Sequence, residues 1–159
     1  MVFALALAVR LIFLFASFHA YGGNLPQTIS GADGYFTVSQ NIIDGHGLTS
    51  DTVPPYTPYS FRPPLFHYFL AGAYTLLGSS WWATIILYIV IASFLRLIGM
   101  KLARYLTDRP LIPFITGIIL ALEPSAILYS TFFYSETFFM LWFFLALWAL
   151  FEYINSGRF

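Results

Sequence analysis

HAYGGNLPQTISGADGYFTVSQNIIDGHGLTSDTVPPYTPYSFRPPLFH, residues 19–67, decides how the rest of this chain is read. The stretch holds all three histidines together with Asp33, Asp44, Asp51 and Arg62, and it is punctuated by Gly and Pro. Long apolar runs lie before and after it. A polar, turn-rich segment between such runs is where a membrane protein usually keeps its chemistry.

Outward from that stretch, the composition agrees. The 159 residues are 59% hydrophobic and only 9% charged, whereas soluble domains carry charge on about a quarter of their residues. The chain therefore reads as an integral membrane protein. Its formal net charge is zero and it has no basic run, so no nucleic-acid partner is expected. The absence of cysteine excludes disulfides, thiolate metal sites and cysteine nucleophiles.

Residues 2–21 form an apolar run longer than a signal-peptide core. Arg10 interrupts it and no clean cleavage site follows, so a retained transmembrane helix is the better reading. Further spans are expected at 81–106, with Arg96 inside it, at 111–129 and at 136–154, each near the roughly 20 residues a crossing needs. Residues 65–78 are apolar but short for a span, and are expected as an interfacial or re-entrant helix in an outer loop, 22–80. The basic loop with Lys101, Arg104 and Arg109 is expected on the cytoplasmic side, as is Arg158. The loop 22–80 and Glu136 then face the other side. Arg10 and Arg96 are read as snorkelling side chains or contacts within a helix bundle. The expected fold class is thus all-α and polytopic, with about four transmembrane helices and two interfacial helices.

Within the loop, Tyr35, Phe36, Val38, Ile42 and Ile43 fall on one arc at helical spacing, predicting a short amphipathic surface helix. Gly45 and Gly47 end it, and Asp33 stands at its N-terminal end, where a carboxylate is favoured as cap and by the helix dipole. Pro54, Pro55, Pro58, Pro63 and Pro64 forbid a regular helix over 48–64. Asp44 and Asp51 are expected as solvated loop residues. Trp81, Trp82 and the tyrosines between 56 and 74 are expected as an interfacial aromatic belt.

Four segments in order carry a resemblance: the first span with Arg10-Leu11, GADGYFTVSQNIIDGHG (31–47), FRPPLFHYFLAGAYTLLG (61–78) and LEPSAILYSTFFYSETFF (122–139). Together they resemble the amino-terminal part of GT-C fold glycosyltransferases of the protein O-mannosyltransferase and aminoarabinose-transferase-like group. That resemblance implies two juxtamembrane helices in the first outer loop. It implies a sugar donor linked to a polyprenyl phosphate, and an acceptor that is a protein, glycan or lipid. Members continue through many more transmembrane helices, so residues 1–159 read as an N-terminal module, expected to be inactive without the remainder of the enzyme. The position matching the family's catalytic acid is Asp33, and the basic residue thought to meet donor phosphate matches Arg62. Gly34 stands where several members have a second acid, and Phe61 where some have an acid before the basic residue.

The resemblance thus implies a multi-pass protein of a bacterial or archaeal plasma membrane, with its active loop on the extracytoplasmic side. Transfer from such a donor needs a base for the acceptor's proton and a cation for the departing phosphate. Asp33 is the candidate base, and Arg62, Glu136, Tyr35 and His67 are the candidate substrate contacts. No cofactor is expected: there is no DxD pair, and a divalent cation held by Asp33, Asp44, Asp51 and His46 is disfavoured. Two rivals stand beside this reading. One is a non-catalytic membrane subunit whose outer loop binds lipid or a partner protein. The other is a transporter or channel fragment, which should show broken helices or polar stripes at midplane depth.

Overall fold

The structure, a computed structural model, describes residues 1–30 and 34–156, and every regular element among them is an α-helix. Three helices are long and apolar enough to cross a membrane: α1 (Val2–Ala20), α5 (Trp81–Arg104) and α8 (Ser135–Asn155). At 1.5 Å per residue they are about 28, 36 and 31 Å long, against a hydrocarbon thickness of about 30 Å. The chain is an all-helical, polytopic membrane protein.

The fourth candidate span differs from the expectation of one continuous helix over 111–129. It is a pair, α6 (Leu111–Leu122) and α7 (Pro124–Thr131), bent by 55° at Glu123. The cause is local. Proline disfavours helical backbone in the residue before it, and Glu123 is extended at φ −60°, ψ 118°.

The long loop between α1 and α5 is itself folded. It contains α2 (Leu25–Ile29), α3 (Tyr35–Ile43) and α4 (Pro64–Leu76). The periodicity located α3 closely, whereas α2 was not foreseen; its Pro26 sits in the first turn, where the missing N–H costs nothing. Gly45, at φ 81°, closes α3. Its N–H and that of His46 donate to Ile42 and Asn41 carbonyls at 3.2 and 2.9 Å, the paired bonds of a Schellman cap. At about 20 Å, α4 is too short to cross.

The chain forms two compact units. The first comprises Met1–Leu14, Tyr88–Thr131 and the chain from Ser135; the second comprises Phe15–Leu87 and Phe132–Tyr134. In the first, α1 buries a single stripe, Val2, Ala6, Arg10 and Leu14, at every fourth position and hence on one helix face. Val2 and Ala6 pack on Ala121. The α5 and α6 backbones approach over glycine: a Cβ on Gly117 would lie 2.5 Å from Met100 Cγ, and one on Gly99 2.5 Å from Leu120 Cδ1. Small residues are how membrane helices achieve such closeness. At the basic end of α5, Glu152 accepts from Tyr105 Oη at 2.6 Å and Trp148 Nε1 at 2.9 Å, and pairs with Lys101 Nζ at 3.1 Å.

In the second unit α3 packs on α4. Trp81 joins several elements. Its ring lies 4.7 Å from Phe36, 4.5 Å from Tyr74 and 5.6 Å from the fully buried Phe133. The Phe133 N–H donates to the Ile29 carbonyl at 3.0 Å, which ties the 132–134 turn to α2.

Candidate functional site

The folded loop is built around the facing N-terminal ends of α3 and α4. Tyr35, the first residue of α3, sets its ring 5.0 Å from Phe66 and 4.8 Å from His67, the third and fourth residues of α4. Ser39 holds the pair together through its hydroxyl, 2.7 Å from the Tyr35 carbonyl and 3.2 Å from the His67 carbonyl. Gly34 precedes α3 at φ 73°, a left-handed conformation that a side chain would strain.

The proline-rich segment is held by Asn41, Asp51 and Tyr59, of which Asp51 was expected as a solvated loop residue. Asn41 Nδ2, on α3, donates to the Thr49 and Asp51 carbonyls at 2.7 and 3.0 Å. The Asp51 carboxylate accepts from Thr57 N–H and Oγ1 at 2.7 and 2.6 Å, and these bonds hold its pKa below the usual carboxylate value. Tyr59 N–H donates to the Leu48 carbonyl at 2.8 Å, and the Tyr59 ring stands edge-on to His67 at 5.6 Å. His46 stacks on Tyr56 at 4.2 Å. Each of these contacts joins residues several positions apart, so no local sequence pattern announced them.

His67 is fully buried, and neither ring nitrogen makes a hydrogen bond among the described residues. Buried polar atoms are nearly always paired, so this ring is an exception at the centre of the loop. Burial pushes its pKa below the ordinary histidine value, and the Tyr35 backbone offsets this only in part. The ring is therefore neutral at pH 7, with one donor and one acceptor nitrogen. Arg62 is half-buried two residues before α4 begins, its guanidinium carbon 4.9 Å above the Phe61 ring. Asp33 lies outside the described residues.

Glu136 belongs to the first unit, in the opening turn of α8. There it lines a cavity of about 290 Å³ with Arg96, Glu123, Tyr129 and a set of apolar side chains. The chemistry of that unit is concentrated at the α6–α7 break. Arg10 is fully buried and does not snorkel. Its Nη1 donates to the Ala6 and Ala121 carbonyls at 3.0 and 3.2 Å, Nε to Ser130 Oγ at 2.9 Å, and Nη2 to the Ala126 carbonyl at 3.4 Å. Arg96 Nε donates to the Leu120 carbonyl at 3.1 Å and Nη1 to Ala92 at 2.8 Å.

The arginines thus satisfy carbonyls that the last turn of α6 leaves open. On the other side of the break, Glu123 accepts from the Ser125 and Ala126 amides, and Ile127 N–H reaches the Glu123 carbonyl at 3.1 Å. Pro124 has no donor to satisfy. A broken helix survives at membrane depth only with this kind of accounting. The sequence signal was present in Glu123-Pro124 inside an apolar run.

Among the described residues no group of three His, Asp or Glu side chains is placed to hold a metal ion. Comparisons with protein families, with curated proteins and with solved structures return no match.

Proposed function

We propose that the chain is part of a membrane glycosyltransferase that moves a sugar from a polyprenyl-phosphate donor to an acceptor at the extracytoplasmic face of a plasma membrane. The observation that supports this reading is the meeting of the α3 and α4 N-terminal ends in the loop between α1 and α5. Asp33 stands two positions before the first residue of α3 in sequence, and Arg62 two before the first residue of α4. Two helix N-termini with a guanidinium beside one of them favour an anion such as a departing phosphate. A carboxylate is the group the acceptor's proton requires, and Asp33 precedes α3 in sequence. In this reading Asp33 is the base and Arg62 meets the phosphate. Tyr35 and His67, buried against one another, are positioning residues.

The test uses membranes carrying the full-length protein, incubated with radiolabelled polyprenyl-phosphate hexoses and pentoses. Label moves to acceptor with wild type and is lost with Asp33→Asn, while Arg62→Ala raises the KM for donor. Transfer unaffected by Asp33→Asn removes the base from the proposal. Absence of transfer from any donor, with folded protein, favours the reading of a membrane subunit whose loop binds lipid or a partner.

One observation favours a transport protein as a second reading: the third span is broken at an ionisable residue, with two buried arginines at the break. Broken spans of this kind line substrate sites in transporters.

A further inference from the structure

The cavity of the first unit has walls of opposite character. Leu95, Leu120, Met140 and Phe144 make it apolar, and Arg96, Glu123 and Glu136 supply charge of both signs. Its volume, about 290 Å³, is at the lower end of the range for ligand sites.

Arg96 is only 4% exposed. It spends Nε and Nη1 on the carbonyls of Leu120 and Ala92, which leaves Nη2 without a hydrogen bond among the described residues. Glu123, which shares the cavity wall, accepts amides of α7 and makes no hydrogen bond to Arg96 among the described residues. A guanidinium with an unused donor in a mainly apolar cavity favours an anionic oxygen. Glu136 is exposed in the first turn of α8, and Met140 and Phe144 follow one and two turns further into the same helix. Along α8 the cavity thus passes from acid to hydrocarbon over about 12 Å.

We propose that this cavity seats the headgroup of an aminophospholipid, with its phosphate on Arg96, its primary ammonium at Glu136, and the top of an acyl chain against Met140 and Phe144. The volume takes the headgroup and the first methylenes, and the remaining chain lies in the bilayer. Two features select this occupant. The lining carries one guanidinium and two carboxylates, Glu123 and Glu136, so a headgroup with an ammonium beside its phosphate fits it, whereas a purely anionic lipid would set its headgroup beside Glu136 with nothing to neutralise that carboxylate. The lining helices α5 and α8 are also long and apolar enough to cross a membrane, which sets the cavity's walls among elements that meet lipid. The site is independent of the loop chemistry of the second unit.

The experiment is native mass spectrometry of the purified full chain, titrated with dioleoyl-phosphatidylethanolamine, dioleoyl-phosphatidylglycerol or dioleoyl-phosphatidylcholine, with thermal stability followed in parallel. Phosphatidylethanolamine is expected to bind at one site and raise the Tm. Phosphatidylglycerol, which lacks the ammonium, and phosphatidylcholine, whose quaternary nitrogen has no N–H, are expected to bind about tenfold or more weakly. Glu136→Gln should remove that preference while leaving the fold intact. Arg96 also holds the helix break, so its replacement tests folding as much as binding; Met140→Trp, which fills the cavity, is the second variant and should abolish binding without lowering the Tm of the lipid-free protein. Equal affinity for the three lipids, or a preference that survives Glu136→Gln, overturns the zwitterion assignment. Lipid binding that survives Met140→Trp places the lipid elsewhere, and no retained lipid at all overturns the site.

Discussion

His67 joins the two helices of the loop at the cost of an unpaired imidazole. Its neighbours Tyr35, Phe66 and Tyr59 present rings without formal charge, and burial, offset only in part by the Tyr35 backbone, sets its pKa below that of an unfolded histidine. The sign follows from linkage. The stabilising contribution is present above the unfolded pKa of about 6.5 and is lost as the pH falls through the lower folded value. Wild type should therefore lose thermal stability between pH 7 and pH 5 more steeply than His67→Phe, which keeps the ring and has no proton to take up. Parallel Tm curves for the two proteins would remove His67 as the source of acid sensitivity. The sequence marked His67 as polar in an apolar helix, and spacing alone could not say that the ring points inward. The same limit applied to Asp51, whose partner Thr57 lies across a proline-rich turn that no periodicity describes.

At the scale of elements, the α6–α7 break is where stability and sequence legibility part company. The apolar run over 111–131 reads as one span by hydropathy, and its composition is unchanged by the bend. What decides the bend is a proline whose preceding residue takes an extended backbone, together with arginines from two other helices that satisfy the exposed carbonyls. Arg10 serves the carbonyls of Ala121 and Ala126 and the hydroxyl of Ser130, and the Ala126 carbonyl also accepts from Ser130 Oγ at 2.7 Å. Arg10→Met nearly keeps the volume and removes these donors, leaving above all the Ala121 carbonyl to meet the cost of about 1–3 kcal/mol for a buried, unpaired group. A loss of about 1–3 kcal/mol is expected for the variant, read as a lowered midpoint in unfolding of the detergent-solubilised protein. Arg10→Lys should recover little, because one ammonium cannot span the separated acceptors that a planar guanidinium reaches. Full stability of Arg10→Met would mean that water or backbone adjustment satisfies the break.

At the scale of the whole molecule, hydropathy made the number and approximate limits of the long helices legible, because a span of about 20 apolar residues is a demand the bilayer imposes on any sequence. Sidedness is a separate matter, set by charge: Lys101, Arg104 and Arg109 flank the α5–α6 connection, whereas Arg62 is the only Lys or Arg between 22 and 80. The positive-inside bias therefore predicts that the loop with α3 and α4 and the connection after α5 lie on opposite sides of the membrane, with the basic connection in the cytoplasm. The lack of cysteine in the sequence makes this directly measurable with single substitutions. Ser50→Cys, in the exposed part of the proline-rich segment, should react with a membrane-impermeant maleimide in intact cells. Thr107→Cys, in the basic connection, should react only after the membrane is opened. Labelling of both from the same side would mean that α5, despite its 24 residues, does not cross, and would put Asp33 and Arg62 on the face where the basic connection lies. Reversed labelling would keep α5 as a span and place the proposed transfer chemistry on the cytoplasmic face.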